Sequence, residues 1–230
     1  MNPEKSNGFV PSRAELSFSK ESNWVVPPDR LPTGRLSGRQ RVKGVCHVRH
    51  HPVIAFVVPY PFEILDLTGP VSVFERAALH GERYYSIRIL STRSNGAVTT
   101  EGGMVIADTC KYSDYVGPID TLIVSGGVGA VSPQPPELMD WLRERSAHTR
   151  RVASTCTGAF LLAGAGLLDG CRVATHWQYC DLLQSRHKNL TVERDPIFIK
   201  QGKFYTTAGV TSGIDLSLAL VEEDLGHAAA

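Results

Sequence analysis

Residues 152–162 read VASTCTGAFLL, and this stretch decides the fold of the chain. It opens as a short apolar run after two arginines, becomes small and polar around Cys156, and continues with helix-forming Ala, Phe and Leu. This order predicts a strand, a sharp turn and a helix with a cysteine at the turn, which is the layout of a nucleophile elbow. A cysteine there lies at a helix N-terminus, where free N–H groups and the helix dipole favour the thiolate. The alternative interpretation is a small buried cysteine in a tight connection.

The composition is typical of a globular protein with one sizeable core, since the 230 residues are 42% hydrophobic and 20% charged. A net charge of +1 gives no whole-protein reason to expect nucleic acid or a membrane surface as partner. No apolar run reaches the roughly 18 residues that span a bilayer, and the N-terminus lacks the apolar core of a signal peptide. The five cysteines have no CxxC spacing, which favours reduced thiols in the cytoplasm. We therefore expect no disulfide framework, no metal and no cofactor.

The charges divide the chain into two parts. Residues 1–52 carry nine Lys and Arg against four Asp and Glu, a net charge of +5, whereas the remainder has a net charge of −4. This first part is also rich in Pro, Ser and Gly and has no sustained period, so it is predicted to be a disordered or loosely attached leader. Its basic cluster, from Arg35 to Arg49, has a possible role in contacting nucleic acid, but a solvated tail is the favoured interpretation. The folded domain is predicted over residues 53–230.

Strands and helices alternate along that domain. Residues 53–58 are continuously apolar, which is typical of a strand buried on both faces. The segment 62–70 leads into a helix predicted over 71–79, with Pro70 near its first turn. Another buried strand is predicted over 119–124, before the glycine-rich residues 126–129. Such alternation predicts an α/β fold with a mostly parallel sheet and helices on both faces.

Ligands of such folds gather beyond the C-terminal ends of the parallel strands. The predicted strands that end at Pro59, Ser125 and Thr155 should therefore bring their ends together at one edge. Cys156, the residue after the last of them, is the candidate nucleophile. The glycine-rich loop from Gly126 to Gly129 lacks both GxGxxG and the P-loop lysine, so a nucleotide site is not expected.

Three further features are predicted to surround the cysteine. The backbone N–H groups of Gly127 and Thr157 are placed to form an oxyanion hole, because a glycine loop next to a helix start can aim two donors at one point. Glu63 and Asp66 follow the first strand, and the sequence leaves open which of the two carboxylates faces the thiol. His176 follows a short predicted strand, and a lone histidine there is more often a structural hydrogen-bonding residue than a catalytic partner.

Five motifs together resemble the ThiJ/PfpI family within the class I glutamine amidotransferase-like fold. The resemblance covers nearly everything from Val53 on and implies a flavodoxin-like three-layer sandwich with Cys156 at the elbow. The motifs are LDLTGPVSVFE (65–75), LIVSGGVGA (122–130), STCTGAFLLAGAGLLDG (154–170), ATHW (174–177) and AGVTSGIDLSLALVEEDLG (208–226).

Two branches of the family are most similar to these motifs. One is isonitrile hydratase, which adds water to an isonitrile to give an N-substituted formamide; here the resemblance implies catalytic roles for Asp66, Cys156 and Thr157. The other is the effector domain of AraC-type transcription regulators, whose motif wording is the more similar. A third reading, also known in this family, is a redox or glyoxal-stress protein that needs an exposed low-pKa cysteine. Peptidase-like members have histidine directly after the elbow cysteine, and Thr157 at that position argues against them.

The sequence thus predicts a ligand-sensing domain, with a cysteine-dependent enzyme acting on a small C–N substrate as the alternative. Glu63, Gly126, Gly127 and His176 are predicted to line the site and contact a small amide-like or nitrogenous ligand. Because the chain ends at Ala230, directly after the last predicted helix, we expect no helix-turn-helix module in it and no DNA binding from this chain alone. The family resemblance also implies a homodimer.

Overall fold

The computed structural model describes residues 51–79, 81–93, 96–107 and 109–230. Apart from its last two residues, the predicted leader lies outside the described residues, and so does the basic cluster from Arg35 to Arg49. Within the described part of the chain, no helix has both the length and the apolar character needed to cross a bilayer.

A seven-stranded sheet forms the centre of the described domain. Its strands follow the spatial order β6-β7-β5-β4-β1-β2-β3, and all neighbours are parallel except the antiparallel pair β6 and β7. The strands are β1 (Val53–Val58), β2 (Ser86–Ser91), β3 (Cys110–Lys111), β4 (Thr121–Val124), β5 (Arg151–Ser154), β6 (Phe198–Gln201) and β7 (Phe204–Thr207).

Helices cover both faces of this sheet, as predicted. The side chains of α1 and α6 pack with one face, and those of α3, α4 and α5 pack with the other. Strand β1 contributes to both clusters, since Ala55 and Val57 face one side while Ile54, Phe56 and Val58 face the other. The helices are α1 (Ile64–Arg76), α2 (Val128–Val131), α3 (Pro136–Ala147), α4 (Ala159–Gly164), α5 (Cys180–Arg186) and α6 (Ser212–Leu225).

Short elements connect these layers. Among the described residues, two antiparallel ribbons, one parallel strand pair and several 3₁₀ turns lie outside the main strands and helices. The ribbons pair Ala78–Leu79 with Glu82–Arg83 and Val98–Thr99 with Val105–Ile106, the parallel pair joins Arg172–Val173 to Thr191–Val192, and the turns are Tyr112–Asp114, Cys156–Gly158, Trp177–Tyr179 and His227–Ala229.

The first helix differs from its prediction, because α1 begins at Ile64 and not at Val71, and Pro70 lies inside it. A proline inside a helix removes the N–H that would bond to the carbonyl four residues earlier, which here is the carbonyl of Asp66. The hydroxyl of Thr155 donates to that carbonyl at 3.2 Å and replaces the missing bond. The helix therefore continues through Pro70, and its first turn is tied to the residue before Cys156.

A buried ion pair joins α6 to the sheet. The side chain of Arg151, the first residue of β5, is only 3% exposed, and its guanidinium lies 2.7 Å from the carboxylate of Asp224, which is 5% exposed. Arg151 also donates to the hydroxyl of Thr121 and to the carbonyl of Leu220. Burial raises the pKa of Asp224, but hydrogen bonds from Arg150 and Tyr85 and the charge of Arg151 outweigh it, so this pKa lies below its usual value.

Replacing Arg151 by methionine should lower the free energy of unfolding by about 2–3 kcal/mol. Removing one partner of a buried pair commonly costs about 3–5 kcal/mol, and the loss is smaller here because Arg150 still pairs with Asp224. Urea unfolding at pH 7 measures the change. Arg143→Met is the matched control, since Arg143 pairs with Asp140 on the surface and should lose less than about 1 kcal/mol. Equal losses in both variants would contradict the assignment.

Candidate functional site

Cys156 lies at the sharp turn that the sequence predicts, two residues after Ser154, the last residue of β5. Its backbone has φ 51°, in the left-handed region, which costs a residue with a side chain about 1–2 kcal/mol. A 3₁₀ turn over Cys156–Gly158 follows and leads into α4 at Ala159. The strand, the turn and the helix are therefore arranged as a cysteine elbow.

Gly158 allows this elbow to pack closely against the next strand. A Cβ atom at this position would lie 2.2 Å from the carbonyl oxygen of Val124, the last residue of β4. Only glycine accepts such an approach without moving the backbone. The start of α4 thus lies directly over the carboxyl end of β4.

Two threonine hydroxyls bond to the backbone of Cys156. Its N–H donates to Oγ1 of Thr207 at 3.2 Å, and its carbonyl accepts from Oγ1 of Thr175 at 3.0 Å. All three residues are buried. Both polar backbone groups of the strained residue therefore have partners inside the protein.

Asp66 is the carboxylate that faces the thiol. It lies in the first turn of α1 and is 0% exposed. Gly126 packs closely against both groups, since a Cβ atom at this position would lie 2.4 Å from Asp66 Oδ2 and 2.7 Å from Cys156 Cβ. Within the described part of the chain, no N–H or O–H group donates to either carboxyl oxygen. The sequence left Glu63 and Asp66 as alternatives, and the structure places Asp66 beside the cysteine.

Burial raises the pKa of Asp66 to about 7. Interaction with the Cys156 thiol lowers it, while the charges of Glu63 and Glu101 add to the rise. Near neutral pH this carboxyl group is therefore present in both its protonated and its ionised form.

The thiol of Cys156 is held neutral. Burial and the negative charge of Asp66 raise the pKa of this thiol. The backbone N–H and the hydroxyl of Thr157 lower the pKa, but by less than the rise. The expectation that a helix N-terminus would favour the thiolate of Cys156 is therefore wrong, because burial and the charge of Asp66 outweigh the donors of Thr157. A side chain with only 5% exposure and a raised pKa also differs from the exposed, low-pKa cysteine that the redox reading requires.

Thr157 and Gly127 bond to each other. The N–H of Gly127 donates to the Thr157 hydroxyl at 2.8 Å, and the same hydroxyl donates to the Gly127 carbonyl at 2.8 Å. The prediction that the N–H groups of Gly127 and Thr157 form an oxyanion hole is therefore wrong for Gly127, because its N–H already donates to the Thr157 hydroxyl. The N–H of Thr157 is the one of the two predicted donors that interacts with the sulfur.

Glu63 holds the start of α1 and does not replace Asp66 at the thiol. Its side chain accepts from the N–H of Leu65 at 3.4 Å, and its own N–H donates to the carbonyl of Gly126 at 3.1 Å. The residue thus anchors α1 to the glycine loop, and its charge acts on the site through Asp66.

His176 makes contacts of a structural kind. Its Nδ1 accepts from the N–H of Gln178 at 3.4 Å, and its ring packs near Trp177 and Tyr179. The observed contacts thus join it to its own turn, and none of them reaches the Cys156 thiol. Its proposed contact with a ligand stays a prediction.

Glu101 is a residue near the site that sequence reasoning missed. Its carboxylate accepts from the N–H of Val128 at the start of α2, its N–H donates to the carbonyl of Phe62, and its charge raises the pKa of Asp66. It lies in an irregular segment followed by two glycines, where no periodic pattern marks a functional position. The described residues contain no cluster of three or more His, Cys, Asp or Glu suited to a metal ion.

Known proteins are similar to this chain in sequence and in fold. Isonitrile hydratase from Pseudomonas putida is 34% identical over 175 residues, which cover 75% of this chain and 72% of that protein. The HTH-type transcriptional regulator CdhR from Pseudomonas aeruginosa is 32% identical over 165 residues, 72% of this chain but only 48% of the regulator. The crystal structure of a ThiJ/PfpI family protein from Pseudomonas syringae superposes with a TM-score of 0.64 at 26% identity, covering 76% of this chain and 69% of that one.

A model of one protein family matches most of the described domain. The match extends over residues 53–223, from the first residue of β1 nearly to the end of α6. It includes the elbow, the glycine loop and the helix that carries Asp66. The chain belongs to the DJ-1/PfpI family.

Proposed function

We propose that this domain binds a small nitrogenous molecule between Asp66 and Cys156 and acts as a ligand-sensing domain of the kind found in AraC-type regulators. The observation that carries the proposal is the carboxyl group of Asp66, which is fully buried and accepts no N–H or O–H hydrogen bond from the described residues. An unsatisfied buried polar group costs about 1–3 kcal/mol, and more when it is charged. A ligand that donates a hydrogen bond to it recovers that energy on binding.

The charges near the site indicate the chemistry of the ligand. Glu63 and Glu101 both act on Asp66, so the local potential favours a group that donates N–H bonds. The thiol of Cys156 is neutral and its neighbourhood is buried, which disfavours an anion. A small amide or amine fits these conditions.

Similarity to regulators supports the sensing role. CdhR is a relative named as a transcriptional regulator, and this chain spans about half of its length. In such a protein the matched half would supply ligand recognition. The homodimer, the cytoplasmic location and the absence of DNA binding by this chain alone stay predictions.

Thermal unfolding against a panel of small amides and amines tests the sensing role. A compound at about 100 times its Kd should add about 2.7 kcal/mol, a rise in Tm of several degrees for a domain of this size. Asp66→Asn should remove most of that rise, because the amide does not reproduce the carboxylate acceptor. Asp195→Asn, which alters an exposed residue, should keep it. If no compound raises Tm, or both variants respond equally, the proposed binding site is wrong.

Hydration of an isonitrile is a second candidate function. It is favoured by a carboxyl group with a pKa of about 7 beside a thiol, because a general acid or base works best when its pKa lies near the operating pH. The relative named isonitrile hydratase is also matched over 72% of its length.

The reaction needs only the isonitrile and water. The sulfur of Cys156 adds to the terminal carbon, and the thiol proton passes through Asp66 to the same carbon, giving a thioimidate. Water then adds across the C=N bond, with the hydroxyl on carbon and the proton delivered to nitrogen through Asp66. Finally the C–S bond breaks, the sulfur takes the hydroxyl proton, and the N-substituted formamide leaves.

Turnover of an isonitrile panel, followed by formamide release, tests this candidate. Cys156→Ala should abolish turnover, and Asp66→Asn should lower kcat by about 10²–10⁴ as expected for loss of an acid–base group. Cys171→Ala serves as the control, since Cys171 is a half-buried cysteine elsewhere in the chain, and should leave kcat unchanged. Turnover that survives Cys156→Ala would exclude the covalent route.

The raised pKa of Asp66 also predicts how stability depends on pH. The pKa of the Asp66 carboxyl rises from 3.8 to about 7 on folding. The stability of the folded protein therefore falls as the pH rises from about 3.8 to about 7, where the folded state binds more protons than the unfolded state. Asp66→Asn removes this loss, so its unfolding free energy relative to wild type should increase by about 2–3 kcal/mol between pH 5 and pH 8. Urea unfolding at both pH values measures this, with Asp195→Asn as the surface carboxylate control. A difference that is the same at both pH values would contradict the buried, titrating Asp66.

A further inference from the structure

We propose that Thr207 and Thr175 are positioning residues for Cys156, and that their hydroxyls hold its backbone in the left-handed conformation that turns the sulfur toward Asp66. This inference rests on the proposed role of Cys156 as the group that meets the ligand. It concerns how the thiol is aimed, and it assigns neither threonine a contact with the ligand.

The sheet itself cannot hold Cys156 in place. The ladder between β5 and β7 ends with the pair Ser154 and Thr206, two residues before the cysteine. Beyond that point the N–H and C=O of Cys156 need partners from elsewhere, because unpaired buried backbone groups are rare.

The two hydroxyls come from different parts of the chain and bond to opposite sides of the residue. Thr207 is the last residue of β7 and accepts from the Cys156 N–H, whereas Thr175 lies beyond the short strand Arg172–Val173 and donates to the Cys156 carbonyl. One group takes the N–H and the other the C=O, so the peptide planes on both sides of the Cα atom are fixed. The φ value of 51° is thereby maintained.

Thr206 provides a matched control beside Thr207. It is also buried, and its hydroxyl also accepts a backbone N–H, that of Ala174 at 2.8 Å. It has no hydrogen bond to Cys156 among those of the described residues. Replacing it by valine removes an equivalent buried hydrogen bond and keeps both hydroxyls that bond to Cys156.

The experiment measures the rate at which iodoacetamide alkylates Cys156 at pH 8 in the full chain. Trypsin would leave Cys156 and Cys171 on one peptide, residues 152–172, so all variants carry Cys171→Ser and the modified peptide is quantified by mass spectrometry. Thr207→Val and Thr175→Val should each speed alkylation about tenfold, because the thiolate is the reactive form and the sulfur moves away from the buried position and the Asp66 charge that raise its pKa. Thr207→Ser and Thr175→Ser should stay within about twofold of the parent, because they keep the hydroxyl, and Thr206→Val should do the same.

Circular dichroism and Tm identify variants that fold. If one valine variant does not fold, the other carries the test, because the two hydroxyls lie on separate segments. Equal rates for all three valine variants, a slower rate in Thr207→Val or Thr175→Val, or no rescue by serine would overturn the proposal. Alkylation requires no ligand and no turnover, so failure of the positioning role is distinguishable from failure of the proposed function.

Discussion

The hydrogen bond from Thr155 to the carbonyl of Asp66 connects the two halves of the site. It exists because Pro70 has no N–H to offer that carbonyl, so the helix would otherwise have an unsatisfied group in a buried position. The donor comes from the residue before Cys156, 89 positions away along the chain. The hydrogen bond that Pro70 leaves open in α1 is thus the point at which this helix, which carries Asp66, is joined to the turn that carries Cys156.

Burial then decides the protonation of the pair. Cys156 lies at the start of a turn that leads into a helix, where exposed N–H groups would ordinarily favour a thiolate. The helix that follows has only six residues, and the sulfur lies in a buried environment next to a carboxyl group. Desolvation penalises both charged forms, so the thiol keeps its proton and the pKa of Asp66 rises to about 7.

The sequence predicts best those features that depend on local pattern. Strand β1 has the predicted bounds because a continuous apolar run can be buried on both faces of a parallel sheet. The small residues around Cys156 likewise indicate the sharp turn of the elbow. The predicted start of α1 is wrong because a proline such as Pro70 usually marks the beginning of a helix. The sequence does not show that the hydroxyl of Thr155 replaces the hydrogen bond that Pro70 lacks. The bond between Gly127 and Thr157 and the contribution of Glu101 also depend on contacts between distant segments. Local residue types indicate which groups meet at the strand ends, but only the packed fold shows which N–H groups are already occupied.

Gly126 constrains the distance between Asp66 and Cys156. The separation of acid and sulfur is set there by main-chain packing, because a Cβ atom would overlap both Asp66 and Cys156. Exposed side chains nearby, such as that of Val128, can be exchanged without altering this separation. Any residue other than glycine at position 126 would therefore push the carboxyl group and the sulfur apart. A change at this one position would disturb the pair of groups on which the proposed sensing role and the proposed hydration both depend.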